Sequence, residues 1–248
     1  MNSKDLIYGI HAVQTAIAQS PQSIAEIWLD GSRHDQRMAE IQRLAKSNAL
    51  VQHEAQREQL DQLLPGVKHQ GVIARCKMPA TLTENDLFPI IDNASKPVLL
   101  LILDGVQDPH NLGACLRSAD GAGADALIIP KDKSVGITPT VAKVASGALH
   151  NVPLVQVTNL ARTMEQLKKA GVWLVGMDDK GEQNLYQVDL TAPVAIILGA
   201  EGAGMRRLSK EKCDYLVKLP MVGVVESLNV SVASGICLYE ALRQRSFS

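Results

Sequence analysis

The sequence predicts an α/β protein in which a mostly parallel sheet carries helices on both faces, with a smaller α/β domain ahead of it. Three observations lead there. Aliphatic runs at 98–103, 126–129, 153–157, 172–176, 194–198 and 215–219 are continuous rather than alternating, as in strands buried on both faces. Stretches with helical spacing separate many of them, at 112–122, 140–148 and 160–170, and another at 230–244 follows the last run. Before residue 98 a first region of about 77 residues alternates helix and strand by itself, and residues 78–97, which carry Thr, Asn, Asp and Pro, read as a linker with about one helical turn.

The N-terminal part, residues 1–77, alternates helix and strand. Residues 9–19 put Ile10, Val13, Ala16 and Ile17 on one helical face, and residues 35–47 do the same with Met38, Ile41, Leu44 and Ala45. A third helix is expected at 56–64, and strands at 25–30, 50–53 and 70–77. The remainder, residues 98–248, forms the main domain.

Composition bounds the function without choosing it. Aromatic residues are 3% of the chain, so the core must be aliphatic. A net charge of −1 gives no global attraction to nucleic acid, so binding of that kind needs a local patch. No apolar run approaches the roughly 18 residues of a membrane span, and residues 1–8 lack the layout of a signal peptide. Cys76, Cys115, Cys213 and Cys237 form no CxxC pair and read as reduced thiols. The expected location is the cytoplasm. His11, His34, His53 and His69 fit no common zinc spacing, and no metal site is expected.

Ligands of such sheets sit beyond the carboxyl ends of the strands. Three turns there carry polar residues. In the first, Asp108-Pro109 is a helix-start signal, with Asn111 and Gly113 in the first turn and Arg117 beyond. It reads either as a capped helix with an incidental arginine or as an anion site. In the second, Leu198-Gly199-Ala200-Glu201-Gly202-Ala203-Gly204 allows a tight turn close to a ligand. Its spacing is neither a dinucleotide fingerprint nor a Walker loop. Glu201 is either a solvated turn residue or a carboxylate that orients a hydroxyl or cation. In the third, Leu219-Pro220 ends a strand and Ser227-Leu228-Asn229 leads into the last helix, where simple N-capping is the plainer account.

Together these segments resemble the three motifs of the SpoU (TrmH-like) group of SPOUT RNA 2′-O-methyltransferases. Asp108, Pro109, Asn111, Gly113 and Arg117 match the first motif. Gly199, Glu201, Gly202 and Gly204 match the second, and Pro220, Ser227, Leu228, Asn229 and Ser231 the third. The N-terminal segments 7–13 and 69–74 are similar to a bacterial branch that methylates guanosine ribose in large-subunit (23S) ribosomal RNA. Glu226 departs from the pattern, since some members carry Ser there.

The resemblance implies a trefoil knot near the C-terminus, an L30e-like RNA-binding N-terminal domain and a homodimer. It implies S-adenosyl-L-methionine as cofactor, held around Gly199, Leu219 and Leu228, with Leu198, Ala200, Gly202 and Pro220 shaping the pocket. Catalytic roles are implied for Arg117, Asn111 and Glu201, then Asn229 and Ser227. Arg117 is expected to grip phosphate and stabilise the emerging alkoxide, because a guanidinium is a poor base. Glu201 is expected to position Arg117 or a hydroxyl.

The partner implied is ribosomal RNA of the large subunit or its assembly precursor, with neither DNA nor membrane. Candidate RNA contacts are Arg33, Arg37, Arg43, Lys46, Arg57, Lys68 and Arg75, with Lys131, Lys133, Lys143, Arg206 and Arg207 in the main domain. The rival readings are a tRNA ribose 2′-O-methyltransferase of the same group and a non-catalytic RNA-binding protein. A nucleotide-dependent oxidoreductase or kinase would need glycine fingerprints that are missing.

Overall fold

The computed structural model describes residues 6–19, 21–76 and 80–246. The chain divides into two compact units, one of residues 1–80 with 137–150 and one of residues 81–136 with 151–248.

The first unit is built on a four-stranded mixed sheet. Its elements begin β1 (Leu6–Tyr8), α1 (Ile10–Gln19), β2 (Ile24–Asp30), α2 (Gln36–Ser47), β3 (Val51–Ala55), α3 (Arg57–Leu63) and β4 (Val72–Cys76). The strand order is β1-β4-β2-β3, antiparallel except for the parallel pair β2–β3. The expected helix and strand positions recur here within a few residues, apart from the unexpected β1. Lys77, expected in the last strand, lies outside the described residues. Alternation along β4 sorts the core: Val72, Ala74 and Cys76 join Val13, Ile17, Met38 and Ile41 on one face. Ile73 points the other way, to Leu60 and Leu64. Asp35 starts α2 by accepting hydrogen bonds from the Arg37 and Met38 N–H groups, as an N-cap should.

The second unit runs β5 (Leu82–Thr83), α4 (Glu84–Asp92), β6 (Leu99–Asp104), α5 (Pro109–Gly121) and β7 (Ala126–Pro130). Then α6 (Pro139–Ala145) belongs to the first unit, where Ala142 packs on the core and Lys143 Nζ lies 4.5 Å from the Tyr8 ring centroid. The second unit resumes with β8 (Leu154–Val157), α7 (Leu160–Lys169), β9 (Trp173–Met177), β10 (Gln183–Asn184), β11 (Val194–Gly199), α8 (Arg207–Lys212), β12 (Tyr215–Lys218) and α9 (Val230–Ser246).

The eight strands of this unit order as β10-β12-β9-β11-β6-β7-β8-β5, and every pairing is parallel. Their carboxyl ends therefore share one end of the sheet. β6 is central and wholly buried, which explains its unbroken Leu/Ile sequence. Leu100 and Ile102 pack with Met164 and Leu167 of α7 and Leu87 of α4. Helices α5 and α9 pack on each other. A Cβ on Gly121 would stand 2.8 Å from the Tyr239 hydroxyl, so glycine permits that approach.

The stretch expected to be a linker, 78–97, departs most from expectation. Pro79 lies outside the described residues, but residues 82–92 form β5 and α4. β5 extends the large sheet beside β8, and Thr83 with Asp86 makes a capping box at the start of α4. Only Leu87 of α4 is fully buried, and Pro89 interrupts its periodicity, so hydrophobic spacing was a weak signal. The two-residue strands β5 and β10 and the polar helix α8 also went unpredicted.

Candidate active site

The first turn starts from Asp104, whose side chain is fully buried at the end of β6. It accepts from the Arg206 backbone N–H at 2.9 Å and from Arg206 Nε at 2.5 Å. This pair ties the end of β6 to the segment that follows the glycine-rich turn. Gly105 turns the chain with φ +93°. Asp108 then caps α5, accepting from the His110 N–H at 2.9 Å with Pro109 at the first helical position.

The second turn closes on itself. The Gly204 N–H donates to the Ala200 carbonyl at 2.8 Å, and Gly202 and Gly204 adopt φ of +74° and +64°. Those left-handed angles favour glycine. At Gly199 the reason is space, since a Cβ would sit 2.0 Å from backbone atoms of Gly204 and Met205.

The third turn, residues 219–229, has a different character. Val222, Val224 and Val225 are exposed, and Pro220 and Ser227 are too. Among the described residues, the backbone groups of 221–228 make no backbone hydrogen bond. Asn229 ends the loop and caps α9, its Oδ1 accepting from the Ser231 N–H at 2.9 Å and its hydroxyl at 2.5 Å.

Asn229 joins the three turns. Its Nδ2 donates to Asn111 Oδ1 at 3.0 Å and also to Glu201 Oε1. Asn111 is only 7% exposed, so this hydrogen bond satisfies a buried amide. One side-chain amide thus pins the start of α5, the glycine-rich turn and the start of α9 together.

Arg117 lies further along α5, about 120° around the helix from Asn111. It is exposed and makes no hydrogen bond or ion pair among the described residues. Glu201 meets Asn229 rather than Arg117. Ser227 likewise has no hydrogen-bond partner among the described residues. Burial pushes the Cys115 thiol up to about 11, with the Ser234 hydroxyl opposing the shift, so this nearby thiol stays protonated at neutral pH.

The candidate RNA cations divide. Arg33, Arg43, Arg75 and Arg207 pair with Asp35, Glu40, Glu26 and Glu211, and Lys143 covers Tyr8. Arg206 is committed to Asp104. By contrast Arg37, Lys46, Arg57, Lys68, Lys131 and Lys133 are exposed and make no ion pair among the described residues. Sequence reasoning missed Asp104 as an organiser. The signal was present: a carboxylate ending an unbroken aliphatic strand, just before a glycine.

The profile of the SpoU rRNA Methylase family matches residues 98–239, which span all three turns. The chain belongs to the SpoU rRNA methylase family. A second profile, for RNA 2′-O ribose methyltransferase substrate binding, matches residues 6–82. Among SpoU relatives, the 23S rRNA (guanosine-2′-O-)-methyltransferase RlmB of Pseudomonas syringae is 53% identical over 246 residues, covering 99% of this chain and 98% of the relative. RlmB of Escherichia coli is 50% identical over 242 residues, covering 98% and 99%. The SpoU methyltransferase AviRb from Streptomyces viridochromogenes, solved with the cofactor AdoMet, superposes with TM-score 0.77 at 27% identity, covering 98% of this chain and 91% of that one.

Proposed function

We propose that this SpoU-family chain transfers a methyl group from S-adenosyl-L-methionine to the ribose 2′-hydroxyl of a guanosine in 23S ribosomal RNA. The observation that carries the reading is the Asn111–Asn229–Glu201 junction, which gathers three strand-end turns, with Arg117, exposed and unpaired among the described residues, further along α5. The identity of 50% or more to RlmB relatives along nearly the whole chain supports the substrate.

The residues present fit the cofactor. The loop 221–228 offers exposed apolar side chains and unspent backbone groups, which suit an adenine and its polar edge. Leu198, Leu219, Pro220 and Leu228 would line the apolar wall, and the turn at Gly199, Ala200 and Gly202 would present backbone without side-chain obstruction. When bound, S-adenosyl-L-methionine supplies an electrophilic methyl on a sulfonium.

The chain's own work concerns the acceptor. A ribose hydroxyl is a weak acid, so the site must stabilise negative charge developing on the 2′ oxygen. Arg117 does this, gripping the adjoining phosphate, which takes the proton. A guanidinium matches phosphate geometry in a bidentate fashion. Asn111, Asn229 and Glu201 hold the loops in register, and Ser227 offers a hydroxyl to the ribose.

The resemblance also supplies a quaternary and topological reading. Val232 and Tyr239 lie two turns apart on α9, both about half-exposed, and with the exposed valines of 222–225 they leave apolar surface that a second copy would cover. We assign the homodimer to this surface and, by the resemblance, the trefoil knot to the C-terminal part of the chain that carries segments 199–206 and 219–229. The N-terminal unit is read as an L30e-like RNA-binding domain, and the chain as cytoplasmic. No helix among the described residues is long and apolar enough to cross a membrane.

The test is methyl transfer from labelled S-adenosyl-L-methionine to unmodified 23S rRNA and to bulk tRNA, followed by mapping of the label. A labelled guanosine ribose in 23S rRNA is expected. Label confined to tRNA overturns the substrate, and no label on either, including precursor particles, overturns the enzyme reading.

A further inference from the structure

We infer that a second pocket, distinct from the methyl-transfer site, receives an unpaired nucleotide of the RNA substrate at the far edge of the large sheet; this rests on the methyltransferase reading. The pocket lies at the carboxyl ends of β5 and β8, between α4 and α7, with a volume of about 420 Å³. That volume suits one nucleotide rather than a lone ion.

Its lining has the three parts that recognise a single-stranded nucleotide. Phe88, one of two phenylalanines in the chain, is half-buried and lines the pocket, presenting a ring on which a base can stack. Arg162 is exposed at its rim and makes no ion pair among the described residues, so its guanidinium is available to phosphate. Asn85, Asn159 and Gln166 add amides that can meet base edges. The Asn159 Oδ1 is already spent on the Arg162 N–H at 3.1 Å, which leaves its NH₂ donors.

Glu84 fixes the polarity. Its own backbone N–H, the Thr158 backbone and side chain and the Arg162 charge together hold its carboxyl below the usual carboxylate range, favouring the charged form against the opposing effect of burial. A carboxylate there repels phosphate and accepts from base N–H groups. The phosphate therefore belongs at Arg162 and the base edge inward.

Placement links this pocket to the reaction. All the strands are parallel, so it opens at the same end of the sheet as the three motif turns. Along the sheet edge β8 and β5 lie two and three strand spacings, on the order of 10–15 Å, from β6, with the pocket in the helix layer that covers Leu100 and Ile102. Extended RNA covers such a distance within a few nucleotides, so the occupant we infer belongs to the same strand as the methylated nucleotide.

The test uses the full chain with unmodified 23S rRNA transcript. Binding is measured across a salt series for Arg162→Ala, Phe88→Leu and Phe88→Tyr, with S-adenosyl-L-methionine affinity and thermal unfolding as folding checks. Arg162→Ala and Phe88→Leu are expected to weaken rRNA binding about tenfold, Phe88→Tyr to keep it, and Arg162→Ala to flatten the salt dependence by about one counterion. Photo-crosslinks from 4-thiouridine-containing transcript are expected in peptides of α4 or α7.

Parental rRNA affinity in both Arg162→Ala and Phe88→Leu overturns the pocket. A loss in Arg162→Ala alone overturns base stacking there. If Phe88→Leu proves unfolded, the crosslink position and Arg162→Ala still decide. Methyl transfer by the parent, measured in the same samples, separates failure of the pocket from failure of the underlying reading.

Discussion

The two sides of the Asn111–Asn229 hydrogen bond differ in how their polar groups are spent. On the α5 side the polar groups next to the junction have internal partners. Asp104 holds Arg206, Asp108 caps its helix, and Asn111 is buried against Asn229. On the other side, residues 221–228 expose valines, and among the described residues their backbone groups make no backbone hydrogen bond. Folding alone does not account for the second side. An exposed loop of Val222, Val224 and Val225 gains nothing from water, whereas a ligand or a second subunit would cover it. The contrast separates groups that build the site from groups held ready for a partner. Changes on the first side should cost stability, and changes on the second should cost activity.

Arg117 gives the largest expected effect and the sharpest form of the contrast. It belongs to the built helix by position but to the waiting groups by its lack of partners. Arg117→Ala should lower kcat by roughly a thousandfold, as loss of a charge-stabilising donor does. The thermal midpoint and S-adenosyl-L-methionine affinity should not move. Single-turnover methyl transfer to 23S rRNA checks this, and near-parental turnover in a folded variant would remove Arg117 from the mechanism.

The next effect reverses the readout. Leu101 is wholly buried in β6, and Leu101→Ala should cost about 3 kcal/mol, seen as a fall of several degrees in Tm. Val224→Ala touches a fully exposed side chain and should leave Tm unchanged. Its cost should instead fall on S-adenosyl-L-methionine affinity or on dissociation of the proposed homodimer. A Tm loss in Val224→Ala equal to that of Leu101→Ala would break the comparison, because it would make the loop part of the core.

The same division explains what was legible in the sequence. Six of the eight strands of the large sheet were readable because burial on both faces leaves continuous aliphatic runs. The motif residues were readable by resemblance, yet their mutual contacts were not. Asn111, Glu201 and Asn229 lie far apart in sequence, and only the parallel sheet brings their turns to one end. Asp104 was passed over because a carboxylate closing an apolar strand marks a position but does not name its partner, Arg206, 102 residues away. β5 and α4 were missed for the opposite reason: their sequence is polar, and pairing with β8 rather than local propensity fixes them. Helix α6 had the expected period, but nothing in that period shows that it joins the first unit.

A smaller effect should arise at the junction itself. Asn229→Ala removes the donor to Asn111 and Glu201 and the cap of α9, leaving a buried amide oxygen unpaired. Stability should fall by about 1–2 kcal/mol. Methyl transfer should fall about tenfold, since the loops keep their sequence but lose their register. Loss of activity without any change in Tm would instead make Asn229 a substrate contact alone.

The smallest effect tests whether the rule for spent groups extends to the first unit. Asp30 ends β2 in a buried position, and the Ser32 hydroxyl, donating at 2.6 Å, holds its carboxyl below the usual range against the opposing effect of burial. The Ser32 N–H and the charges of Arg57 and His69 act in the same direction. A carboxyl depressed in the folded state stabilises the fold above its unfolded pKa near 4, and this contribution is lost as pH falls through the lower folded value. Asp30→Asn should therefore narrow the drop in thermal midpoint between pH 6 and pH 3, while methyl transfer at neutral pH stays near parental. An unchanged acid profile would mean that the Ser32 contact favours both protonation states equally, and the carboxylate would then lie outside the rule that separates building groups from waiting ones.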